Sequence, residues 1–498
     1  MQLLKKFTFL LVLSSFAIQA QEIRIPADTT ITTQHSAKIN GNILEYTATT
    51  GMQPVWNSDH KAMATLHYTF YKKNVKNTSE EPQRPLLISF NGGPGSASAW
   101  MHIAYTGPKI LKISPEGYPV QPYGLKDNPH SILDVADILY VNPVNTGYSR
   151  TLDIDGKAPD RDLFFGVNAD IKYLASWLEN FVSRNNLWLS PKYLIGESYG
   201  GTRVSGLALA LQEQQWMYLN GVILVSPADY LSFDSDTALS SSLFLPYFTA
   251  AAWYHKALSP ALQQQTLEAI LPEVETYALD VLLPALAKGS LLSTSEKEKI
   301  AQQMATYTGI SEKIILQHNL DLPSRSFWKE LLRDKSGNTI GRLDSRYLGI
   351  DRKLAGDGPD YSPELTSWLH SFTPAINYYM REELNFKTDL SYNMFGSVRP
   401  WDNRGNNTRE DLRQAMATNP YLNILFQTGY YDGATTYFHS KYSMSQIDPS
   451  GQLKDRMHFK IYHSGHMMYL RQEDLKTSND DLRAFLKQTN QKGKTAKY

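Results

Sequence analysis

The sequence predicts an α/β fold: a mostly parallel central sheet, flanked by helices and interrupted by a largely helical insertion. Three observations predict it. Short, unbroken apolar runs occur at 86–88, 138–141, 193–195 and 222–225, as strands buried on both faces require. Between the second and third runs, Val167, Ile171, Leu174, Trp177, Leu178 and Phe181 recur at helical spacing. The strand pattern then stops over 232–370, where Leu-, Ala- and Gln-rich helical segments dominate, and returns at 422–426 and 458–462. Strand, helix, strand repetition with buried strands means a parallel sheet covered by helices.

Taken in order, the chain begins with Lys5 and Lys6, an apolar run from Phe7 to Ile18, and then Gln19-Ala20. A basic start, a short apolar core and a small residue describe a secretory signal peptide, 1–20, cut after Ala20. The run is shorter than the roughly 20 residues that span a bilayer, so the exported chain, periplasmic or secreted, is expected free of the membrane. Residues 29–75 read as antiparallel β, with Asn40-Gly41 as a hairpin turn. Within it Leu66, Tyr68 and Phe70 share one face of an alternating strand. The first part of the core is read as 21–231, the cap as 232–370 and the second part of the core as 371–498. A closing helix covers 480–486, followed by a frayed basic tail from Lys487.

Bulk properties narrow the function. The 498 residues are 42% hydrophobic and 20% charged, and Lys+Arg and Asp+Glu both count 49. A formal charge of zero recommends neither nucleic acid nor an anionic membrane as partner. There is no cysteine, so disulfides, thiolate chemistry and cysteine-held metals are excluded. Neither cofactor nor metal is expected.

The chemistry is concentrated in Gly196-Glu197-Ser198-Tyr199-Gly200-Gly201, which follows the run Tyr193–Ile195 and precedes the apolar, Ala/Leu-rich stretch 203–211. G-x-S-x-G between strand and helix places the serine on a tight, strained turn, its hydroxyl clear of the sheet. The amide of Tyr199 can then face a developing oxyanion. A hydroxyl needs a base, and the base needs a carboxylate to hold its tautomer; in this class the chain order is Ser, acid, His. Seven histidines follow Ser198, and only His466, in Ser464-Gly465-His466-Met467, lies in a loop just past a late strand. His463 is the runner-up. For the acid, Asp432 follows the strand 422–426 and falls on the sheet edge where open parallel sheets bind ligands. Asp402 is the alternative, better read as a turn residue. Asn91-Gly92-Gly93-Pro94-Gly95 ends another strand, and its glycines let backbone N–H groups converge on an anion. It lacks the Lys-Ser/Thr of a phosphate-binding loop.

These stretches, with Asn142-Pro143, Gly147-Tyr148-Ser149 and Gly465-His466-Met467, resemble the serine carboxypeptidase family of α/β-hydrolases, in the family's order and approximate separation. The likeness covers about 85–230 and 420–470. It implies release of the C-terminal residue of a peptide through an acyl-enzyme on Ser198, with His466 as base and then acid and Asp432 orienting it. It implies an oxyanion hole from the amides of Gly93 and Tyr199, and contact with a substrate bearing a free C-terminal carboxylate by Asn91, Gly92 and Glu197. Two carboxyl groups side by side cannot both be charged cheaply, so a raised Glu197 pKa and better peptide binding in acid are expected. The chain departs from the family pattern at Ser96, at Asn142, and at Tyr105, which stands where a second glutamate is usual. A tyrosine hydroxyl can still donate to a carboxylate, so Tyr105 is counted with the substrate-binding residues. An esterase or acyltransferase using the same triad is the alternative, favoured by Tyr105; a non-catalytic binding protein on this fold is a third reading.

Overall fold

The computed structural model describes residues 25–75, 84–228, 237–490 and 493–496. The signal segment 1–20 and the boundary at 231/232 lie outside these residues. Nine strands carry the main sheet: β1 (Thr29–Ile39), β2 (Asn42–Trp56), β3 (Ala62–Lys73), β4 (Leu86–Phe90), β5 (Asp137–Val141), β6 (Lys192–Glu197), β7 (Gly221–Val225), β8 (Asn423–Gly429) and β9 (Met457–Tyr462). Their spatial order is β1-β2-β3-β5-β4-β6-β7-β8-β9, with the short strand Arg150–Thr151 pairing to β3 as the tenth. β1, β2 and β3 are antiparallel to their neighbours, and β5, β4, β6, β7, β8 and β9 run parallel to one another. The β1–β2 turn falls on Asn40 and Gly41, both at positive φ, 47° and 82°, as a two-residue turn matched to strand twist requires.

Both faces of the sheet are covered, and alternate residues of one strand enter different cores. Ile138 and Tyr140 join Tyr193, Ile195, Ile223 and Val225 on one face, with helix α1 (Ala99–Ala104) and the closing helix. Leu139 and Val141 join Leu194, Val222 and Leu224 on the other, under helices α2 (Val167–Arg184) and α3 (Tyr199–Gln214). This is why the central strands read as continuous apolar runs. It also revises β3, whose alternation alone implies apolar positions inward and polar positions outward. Its polar positions Thr65, His67 and Thr69 do not face water but are fully buried. His67 packs against Tyr148 and Phe386, and burial pushes its imidazole down to about 3, so it stays neutral.

The closing helix α4 (Gln472–Thr489) is longer than expected at both ends, and Lys487 belongs to its last turn. Its extra N-terminal turns are held by Leu475 in the core, a tertiary contact that a polar-rich stretch does not advertise. Between 237 and 378 helices dominate, joined by a two-stranded hairpin of Thr339–Ile340 and Leu348–Gly349. Helix Pro363–Tyr378 runs through position 370 without a break, and its Trp368 and Phe372 belong to the main core. The preceding helices enclose a core of their own, around Tyr247, Phe248, Phe327 and Trp328, which joins the body through Tyr430, Tyr431, Tyr437 and Phe438.

Candidate active site

The parallel strands deliver the site residues at their carboxyl ends, the edge where such sheets bind ligands. Asn91 follows β4, Ser198 follows β6, Asp432 follows β8 and His466 follows β9. Ser198, His466, Asn91, Gly92, Gly93, Glu197 and Tyr199 line one cleft of about 460 Å³.

Ser198 caps helix α3 at φ 59°, ψ −126°, a region that costs a non-glycine residue of order 1–3 kcal/mol. The surrounding chain imposes it. The Ser198 amide donates to Val225 O (2.9 Å), and its carbonyl accepts from Gly201 N (2.8 Å) and Ala228 N (2.9 Å). The turn is tight enough that a side chain at position 196 would collide with the Gly200 carbonyl. Gly92 of the glycine loop lies against the same turn: a Cβ there would stand 2.5 Å from Tyr199 N. Loop and elbow backbones therefore meet directly, with Gly93 exposed at their junction.

Asp432 is fully buried and saturated with partners. Its Oδ1 accepts from the amides of Ala434 (2.8 Å) and Thr435 (3.0 Å), and its Oδ2 from His466 Nδ1 (2.7 Å). The Thr435 hydroxyl lies 2.8 Å from the same Oδ2 and 2.9 Å from Ser226 O. With Nδ1 engaged by the carboxylate, Nε2 is the ring nitrogen left to exchange a proton. The backbone of His466 is held as well: its amide donates to Leu343 O (2.7 Å), and its carbonyl accepts from Ser226 Oγ (2.8 Å). Burial disfavours the charged imidazole, but the carboxylates of Asp432 and then Glu197 outweigh it and raise His466 above its ordinary 6.5.

The runners-up lie elsewhere. His463 is half-exposed and pairs with Glu268 of the insertion at 3.2 Å. Asp402 is exposed and closes a turn, accepting from Arg404 N (2.9 Å) and from its guanidinium.

Glu197 is buried, and its Oε2 accepts from Asn91 Nδ2 (2.7 Å) and the Tyr469 hydroxyl (2.5 Å). Burial pushes this carboxyl up to about 7, against the charge of His466 and both hydrogen bonds. Tyr105 must be corrected. It is fully buried and absent from the cleft lining; its hydroxyl donates to Gln427 Oε1 (2.7 Å), and its ring stacks on Tyr469 at 4.8 Å. It supports the residue that bonds Glu197, and its hydroxyl cannot also serve a ligand in the cleft.

Several participants escape sequence reading. Tyr469 sits three residues after His466, a spacing that is the one available signal. Arg203, fully buried on α3, bonds Asp170 Oδ2 (2.6 Å), Asn91 O (2.7 Å) and Pro94 O (3.1 Å), so one guanidinium joins α2, α3 and the glycine loop. Trp401 Nε1 donates to the Tyr199 hydroxyl (2.9 Å) at the cleft wall.

The sheet and its helices are those of an α/β-hydrolase. A family model described as serine carboxypeptidase matches residues 45–348, more than half of the chain, and the chain belongs to that family. Serine carboxypeptidase-like 8 of Arabidopsis thaliana is 26% identical over 175 residues, 34% of this chain and 38% of that protein. The pheromone-processing carboxypeptidase KEX1 of Saccharomyces cerevisiae is 28% identical over 158 residues, 31% of this chain and 21% of that protein. The chain thus spans well under half the length of these curated relatives. The crystal structure of KEX1(delta)P, a prohormone-processing carboxypeptidase from Saccharomyces cerevisiae, is similar with a TM-score of 0.52, covering 89% of this chain and 92% of that one at 15% identity. That likeness concerns the fold.

Proposed function

We propose that the protein is a serine carboxypeptidase that removes the C-terminal residue of peptides through an acyl-enzyme on Ser198. The single observation that carries the reading is the bond from His466 Nδ1 to the buried Asp432, in the cleft that Ser198 also lines. His466 Nε2 takes the Ser198 proton as the hydroxyl attacks the scissile carbonyl, and gives it to the leaving amine. The amides of Gly93 and Tyr199 face the oxygen on which charge develops. Water then repeats the sequence and frees the shortened peptide. Asn91 and Glu197 receive the terminal carboxylate, Glu197 in its protonated form, and Gly92 keeps that approach open. The basic start and apolar run before Ala20 support export. Among the described residues no helix is long and apolar enough to cross a membrane.

A second reading, esterase or acyltransferase, is favoured by the position of Tyr105, whose hydroxyl is spent on Gln427. One comparison separates them: a peptide acid against its C-terminal amide. A carboxypeptidase rejects the amide strongly, because buried recognition groups are left unpaired. Equal rates, or turnover of esters alone, favour the second reading. Ser198→Ala should lower kcat by on the order of 10⁶-fold in either case, and an organophosphonate should label Ser198.

A further inference from the structure

The cleft carries two arginines that the mechanism does not use. Arg342 and Arg399 both line it, both are exposed, and among the described residues neither guanidinium is hydrogen-bonded or ion-paired to protein. Among the described residues the other charged groups lining the cleft are His466 and Glu197, and Glu197 is already engaged by Asn91 and Tyr469. The described lining therefore carries an excess of positive groups.

The two arginines come from different segments. Arg342 stands on the histidine side: its carbonyl accepts from Gly433 N (2.9 Å), next to Asp432, and the following residue, Leu343, holds the His466 amide (2.7 Å). Behind it, Glu364 is fully buried, accepts from Leu343 N (2.8 Å), and is pushed by burial up to about 7, with the charge of Arg342 acting the other way. Arg399 stands on the glycine-loop side. Its neighbour Val398 is buried against Gly95, Gly396 N donates to Gly95 O (2.7 Å), and its own carbonyl accepts from Arg161 (2.9 Å). Both arginines thus leave anchored backbone and line the cleft that Ser198 also lines. A guanidinium with no counter-ion among the described residues is matched by a carboxylate, which it can engage with two parallel hydrogen bonds.

We propose that Arg342 and Arg399 select substrates with a side-chain carboxylate on a residue flanking the scissile bond, making the enzyme selective for acidic peptides. The proposal rests on the carboxypeptidase reading for the bond cleaved, but its chemistry is that of the cleft and applies to any acyl substrate of Ser198. A charge-assisted hydrogen bond gained inside such a cleft corresponds to roughly 10- to 100-fold in kcat/KM.

The test uses peptides with free C-termini carrying Glu or Gln at the penultimate or at the last position, and a Glu/Gln pair of N-acyl amino-acid esters. The expected result is a Glu:Gln ratio in kcat/KM of about 10 or more in at least one position, shrinking as salt is raised. Arg342→Gln or Arg399→Gln should bring that ratio close to one. A wild-type ratio near or below one in both peptide positions and in the esters overturns the proposal while leaving peptide cleavage intact. If esters alone are turned over, the carboxypeptidase reading fails, and the ester pair still decides the arginines. If either variant loses Glu and Gln peptides equally and keeps the esters, the arginines read the terminal carboxylate, and the proposal is overturned.

Discussion

Replacing Glu197 by Gln separates recognition of the substrate's carboxylate from chemistry. Glu197 lies in the interior between Asn91 and Tyr469, with its carboxyl at about 7. Only its neutral form can donate to a substrate carboxylate; once ionised, it faces a like charge in a poorly solvated site. The neutral fraction is about nine-tenths at pH 6 and about one-tenth at pH 8 for a group titrating at 7. Peptide capture should fall roughly tenfold across that interval. His466 complicates the raw profile, because its raised pKa removes the base as pH falls and affects every substrate. A ratio cancels it. We expect kcat/KM for a peptide acid, divided by kcat/KM for a neutral ester of the same acyl group, to drop about tenfold from pH 6 to pH 8. In Glu197→Gln, neutral at every pH, that ratio should be level, while the ester alone keeps its loss toward acid. A wild-type ratio that does not change between pH 6 and 8, or a fall that persists unchanged in the variant, would refute the assignment of Glu197.

Further outcomes follow from other contacts. Asp432→Asn should cut kcat by about 10⁴-fold with the fold retained by circular dichroism, because an amide at this position stabilises the wrong tautomer of His466. Arg203→Met strands Asp170 and two loop carbonyls, so denaturant unfolding should show a loss of about 3–5 kcal/mol. Arg203→Lys, lacking the fork, should recover only part of it. Tyr105→Phe leaves Gln427 Oε1 without its donor and should cost about 1–3 kcal/mol in the same assay. Its KM for peptides should stay at the wild-type value, whereas a severalfold rise would return Tyr105 to the substrate.

What the sequence discloses and what it hides have separate physical causes. The strands β4 to β7 are legible because burial on both faces leaves unbroken apolar runs, and the elbow is legible because Gly196 and Ser198 answer a local steric demand. Asp432 and His466 follow from chain order and from the strand each one trails. Tyr105 misled because its hydroxyl is equally suited to a ligand or to Gln427, and the choice is made by packing across 322 positions of chain. Arg203 and Tyr469 are silent for a related reason: a buried guanidinium or phenol carries no periodic mark, and its partners lie on other elements. The polar face of β3 was hidden because alternation reports residue type, not what eventually covers each side.

The hairpin arm of the insertion meets the body through several contacts, among them Ser345 N on Tyr431 O (3.0 Å) and the carbonyls of Arg342 and Leu343, which accept from Gly433 beside the acid and from the base itself. The insertion and the reacting groups are therefore joined through backbone hydrogen bonds. A change in the outer helices that shifts this arm need not come near a ligand to disturb proton transfer, because the His466 amide is bonded to it. Diversity in what such a cap admits is then purchased against the alignment of the very atoms that break the bond.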